Sequence, residues 1–170
     1  MLETEIIDTN VVLVANGQHP DVSPGCIAES ALRLQKIMQK GRFAVDDAFR
    51  ILSEYQNKTQ PKTGNRPGDA FVKWTLRNNF NTQRCDQISI RDHPERGFES
   101  FPDDQDLRQF DPSDRKFVAV AVAHPNHPPI IQAADSKWIT WAPILKRYGI
   151  EVEFICEDDI KRFHMKKGGV

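Results

Sequence analysis

Three aspartates stand where apolar runs end or begin. Asp8 closes Ile6-Ile7, Asp135 closes Ile130-Ile131-Gln132-Ala133-Ala134, and Asp114 precedes the apolar run 117–123. One acid at such a turn is ordinary, because its carboxylate can cap the next helix by accepting backbone N–H groups. Three together ask for more. Converging carboxylates repel one another, and a dense cluster is normally tolerated only around a cation. Oxygen donors with no convergent His or Cys point to Mg2+ or Mn2+.

The elements that must position these acids are legible from periodicity and punctuation. A strand is expected over residues 5–8, with the chain staying apolar through 11–14. Ser23-Pro24 opens a helix in which Ile27, Ala31, Leu34 and Met38 share a face, and Gly41 stops it. Residues 43–45 form a short strand ending in Asp46-Asp47, and 49–55 have a helical or mixed rhythm. A polar linker covers 57–68, and Phe71, Trp74, Thr75 and Asn78 suggest another short helix. A strand is expected at 87–90 and a Pro- and Asp-rich surface loop at 101–106. The run 117–123 suits strand or helix by apolarity alone, and Asp111-Pro112 in front of it favours helix. A strand at 130–134, a helix at 136–148 closed by Gly149, a strand at 151–156 and a short helix from Glu157 complete the chain.

Alternating strands and helices predict an α/β fold of three layers, α/β/α, around a central, mostly parallel sheet. In such sheets the ligand crevice lies at the carboxyl ends of the strands. Asp8 and Asp135 therefore converge if their strands are neighbours. With 170 residues, 39% of them hydrophobic, the chain suits one domain over 1–163, leaving a basic tail at 164–170 expected to fray. A net charge of −1 excludes gripping nucleic acid by bulk charge but leaves room for an acidic site rimmed by local Lys and Arg. The longest apolar stretch is seven residues against the roughly 20 that span a bilayer. No basic segment precedes an apolar core at the start, so a cytoplasmic protein with no membrane contact is expected. Cys26, Cys85 and Cys156 are odd in number and share no short spacing, which predicts buried thiols rather than a disulfide or a zinc site.

The segment Ile6-Ile7-Asp8-Thr9-Asn10-Val11 resembles the opening strand of PIN-domain nucleases, with its apolar-apolar-Asp-Thr/Ser-Asn signature. Asp111-x-x-Asp114 with the Ala-rich run behind it resembles that family's third motif, and Ile130 to Trp138 its fourth. The second motif would be Glu54 in Phe49-Arg-Ile-Leu-Ser-Glu54-Tyr55, with Asp46 and Asp47 competing for that place. The resemblance extends over nearly the whole chain and implies Mg2+- or Mn2+-dependent hydrolysis of phosphodiesters, most often in RNA. It implies Asp8, Asp114 and Asp135 as metal ligands and Glu54 as the group orienting the attacking water. Asn10 would hold an acid or touch phosphate, and Arg115 and Lys116 are placed to meet phosphate. Lys137 departs from the pattern, standing where many relatives have a further acid. Segment 82–106 is longer than a minimal relative needs, which suits a substrate or partner loop.

Two other readings compete. One is a catalytically idle PIN-like interaction or RNA-binding module, for instance in a toxin–antitoxin or defence system, with a protein partner or inhibitor or as a homodimer. The other is a haloacid-dehalogenase-type phosphatase, which would want an acid two residues after Asp8, where Asn10 stands. The pair His124 and His127 lies among prolines and is read as a surface loop. Trp138 and Trp141 are read as core.

Overall fold

The middle strands are buried on both faces and the outer ones alternate, and this burial pattern follows their order in the sheet. The computed structural model describes residues 2–167. β1 (Thr4–Ile7), β2 (Arg42–Asp46) and β6 (Ile130–Gln132) are almost wholly buried, whereas β3 (Cys85–Ile88) and β7 (Val152–Phe154) expose alternate residues. The sheet order is β3-β2-β1-β6-β7, and all four pairings are parallel. Near-continuous apolar runs are what a parallel sheet covered on both faces requires. The two-residue strands β4 (Asp92–His93) and β5 (Gly97–Phe98) form a separate antiparallel hairpin.

Helices α1 (Thr9–Ala15), α2 (Pro24–Lys40) and α4 (Pro67–Asn78) pack together, while α5 (Arg115–Ala123) lies against β1, β2 and β6. α3 (Arg50–Lys58) joins α1 and α4 and also reaches β2 and α5, and α6 (Lys137–Lys146) lies on β7. α7 (Glu157–Lys166) ends the described chain. The expected α/β/α layering with a parallel sheet is therefore present. α2 begins as its sequence says: Ser23 accepts from the Cys26 N–H, Pro24 takes the first turn and Gly41 follows the end.

Residues 11–14 stay apolar as expected and lie in α1, because Asp8 caps a helix at once through the Asn10 N–H. Segment 101–106 is exposed at Asp103, Gln105 and Asp106, as expected of a surface loop, but it is anchored at its ends. Phe101, Leu107 and Phe110 are buried, and Phe110 packs edge-on against Trp138 with centroids 5.1 Å apart. α7 runs to Lys166, and residues 168–170 of the expected tail lie outside the described residues. Cys26 and Cys156 are not free thiols but a disulfide with Cα atoms 5.3 Å apart, joining positions 130 residues apart in sequence. Spacing along the chain could not reveal that pair, because the fold alone brings the first turn of α2 to the end of β7. Cys85 is a buried free thiol as expected, and burial, then the Asp86 charge, pushes it up to about 12.

Candidate functional site

Strand order reverses at β1: β2 and β3 lie to one side of it, β6 and β7 to the other. Such a switch point opens a crevice at the carboxyl ends of the strands. Asp8 follows β1 there and Asp135 follows β6, with Ile7 opposite Ile131 in register. Asn10 holds these two ends together. Its N–H donates to Asp8 Oδ2 at 2.9 Å, and its Oδ1 accepts from the Ala134 N–H at 2.8 Å.

Asp114 enters from the 3-10 turn Pro112–Asp114 at the head of α5, and Glu54 comes from α3. Asp8 is 3% exposed, and its Oδ1 is buried without a hydrogen-bond partner among the described residues. Burial first, then the charges of Asp114, Asp135 and Glu54, push its carboxyl well above the usual range, against the Asn10 N–H that favours ionisation. Asp114 is pushed up to about 6, again by burial first and then by Asp135 and Asp111. Asp8 therefore feels the three other expected acids, and Asp114 feels Asp135 and Glu54. Tyr55 lies under them: its hydroxyl donates to the Ile7 carbonyl, and burial with the Asp8 and Glu54 charges holds the phenol neutral far into alkali.

Two lysines answer this charge. Lys137 Nζ lies 2.8 Å from Asp111 Oδ2, 3.8 Å from Asp135 Oδ2 and 4.0 Å from Asp114 Oδ2. The Lys137 bond, helped by the Ser113 N–H, holds Asp111 down to about 2. Lys116 Nζ lies 2.9 Å from Glu54 Oε1, and Glu54 Oε2 accepts from the Thr9 hydroxyl. No three His, Cys, Asp or Glu side chains among the described residues stand ready at ligand spacing. The donor set still suits a hard divalent ion, being carboxylates alone with one buried oxygen of Asp8 unpartnered. Asp8, Asp114 and Asp135 are the groups that could hold it, in place of the half-exposed Lys137 ammonium.

The other expected residues are distributed differently. Asp46 is no second acid of this cluster. It caps α3, accepting from the N–H groups of Ala48, Arg50 and Ile51 at 2.9–3.1 Å. Asp47 is exposed beside it. Arg115 does not face a phosphate site: it is buried, donates to the carbonyls of Arg96, Arg108 and Phe110, and lies over the Phe101 ring at 4.7 Å. It braces the 82–110 segment. His124 is buried rather than part of a surface loop, with Nε2 2.8 Å from Asp86 Oδ2. Asp111 and Thr9 also belong to the site, and their sequence signal is their place inside the Asp111-x-x-Asp114 and Asp8-Thr9-Asn10 motifs. The chain matches no protein-family model, no curated protein and no solved structure at a significant level.

Proposed function

We propose that this protein is a Mg2+- or Mn2+-dependent nuclease of the PIN type, hydrolysing phosphodiester bonds in RNA at the Asp8, Glu54, Asp114 and Asp135 cluster. The observation behind this reading is the buried, unpartnered Asp8 oxygen at the sheet's switch point, on a carboxyl that feels the charges of Asp114, Asp135 and Glu54. Mutual repulsion of that kind destabilises the fold and is expected only where a cation relieves it. Bound between Asp8, Asp114 and Asp135, the ion would acidify a water and offset charge on the phosphoryl oxygens.

The side chains have separable duties in this account. Asp8 and Asp135 fix the crevice floor because Asn10 ties their strand ends together. Glu54, braced by the Thr9 hydroxyl, orients the attacking water and takes its proton. Lys116, now on Glu54 and the Ser113 carbonyl, would free the Glu54 carboxylate on turning to a phosphate oxygen.

A specific observation favours a second reading. Lys137 already neutralises Asp111, Asp114 and Asp135, as a cation would, and this suits a catalytically idle module. Incubating a pool of single-stranded RNA with the protein in Mn2+, Mg2+ or EDTA separates the two. Cleavage that needs the metal and is lost in folded Asp8→Asn supports the nuclease. Absence of cleavage in wild type and in Lys137→Met alike would overturn it and leave the idle module.

A further inference from the structure

Beside the acid cluster, and sharing Asn10 and Asp135 with it, lies a cleft of about 460 Å3 between the loop after α1 and helix α7. That volume falls in the roughly 300–1,000 Å3 range of small-ligand sites. Two flat side chains of its lining stack: the His19 ring lies on Phe163 with centroids 5.4 Å apart and planes at 20°, and outside the lining the Arg162 guanidinium covers Phe163 at 5.0 Å. His19 Nδ1 is buried and has no hydrogen-bond partner among the described residues. Lys166 and Lys167, both exposed, also line it, as does Asp21.

The cleft is held firmly. Asp159 of α7 accepts from the Ser23 N–H at 2.6 Å and from its hydroxyl at 2.9 Å, and the Cys26–Cys156 disulfide fastens the start of the same helix. α7 cannot drift from the α1–α2 loop without breaking these links.

We infer that this cleft binds the nucleotide next to the scissile phosphate in a single-stranded nucleic acid. The inference rests on the nuclease reading for the position of that phosphate. A base has a flat face for the His19 side of the stack. The Asp21 carboxylate suits an exocyclic amino group. The two exposed lysine ammoniums suit the phosphate that follows. A duplex hides its base faces in its own stack, so the strand must be single here.

The test is fluorescence anisotropy of a labelled, unstructured RNA decamer in EDTA at low salt, where neither cleavage nor metal contributes. Lys166→Glu/Lys167→Glu is expected to weaken binding about ten-fold and to lower the salt slope by about two. His19→Ala is expected to weaken it about five-fold at unchanged salt slope. Lys36→Glu/Lys40→Glu, the same charge change elsewhere on the surface, controls for bulk charge, and each variant's Tm controls for folding. No binding by wild type, or equal loss in the control pair, would overturn the inference. If the nuclease reading alone fails, this pattern of binding persists without metal-dependent cleavage. If the cleft alone fails, cleavage needing Asp8 persists while the cleft variants bind as wild type does.

Discussion

At the scale of the residue, the cluster is costly without a cation, and that cost has a measurable sign. Asp114 ionises at about 6 in the folded protein, against 3.8 in an unfolded chain. Between those values the folded state holds a proton that the unfolded state has released. Stability therefore falls as pH rises through that window and stays lower above it. Asp8 is shifted in the same direction. Asp111, held down by Lys137, works oppositely, but only as pH falls from about 4 towards 2. Asp8→Asn removes one charge and keeps an acceptor for the Asn10 N–H. In EDTA at pH 7.5 its Tm should exceed wild type by roughly 2–4 °C, the equivalent of about 1 kcal/mol. The wild type's loss of Tm between pH 4.5 and 7 should shrink with it. A lower Tm in calorimetry would show that Asp8 is a structural acid.

At the scale of the element, the site depends on helices starting in the right place. Asp46 accepts three N–H groups at the start of α3, and this sets where Glu54 emerges. Removing such a cap costs about 2 kcal/mol, so Asp46→Ala should lower Tm by roughly 4–8 °C in thermal unfolding. An unchanged Tm would contradict the capping role. Elements with strong local signals were legible in the sequence: α2 through Ser23, Pro24 and Gly41, and β1 and β6 through their apolar runs. So were Asp8, Asp114 and Asp135, since a strand end or helix head is visible as an acid beside an apolar run. What was not legible depends on contacts distant in sequence. Asp46 and Glu54 look alike as acids near one helix, and only the fold turns one to the backbone and the other to the crevice. Arg115 read as a phosphate contact because its charge is visible, while the three carbonyls that bury it lie up to 19 residues away. The β4–β5 hairpin has two-residue strands, too short for any periodicity.

At the scale of the molecule, the disulfide ties α2 to α7 across nearly the whole chain. No helix among the described residues is long and apolar enough to cross a membrane. By the chain-entropy account, closing a loop of 130 residues stabilises the fold by about 5 kcal/mol. Reduction should then lower Tm by roughly 10 °C or more. Thiol titration of the unfolded, unreduced protein should find Cys85 alone, and all three cysteines after reductant. Three reactive thiols before reduction would contradict the pairing. The same tether holds α7 beside the acid crevice, so cluster and cleft belong to one rigid frame.

The most direct measurement of the central claim is a calorimetric titration of Mn2+ into the metal-free protein at pH 7.5, beside the Asp8→Asn variant. Wild type should bind Mn2+ saturably, with at least one ion per chain and release of protons from the acid cluster, and Asp8→Asn should bind at least ten-fold more weakly. Binding unaffected by that substitution, or no binding at millimolar Mn2+, would contradict the claim that these carboxylates form a cation site.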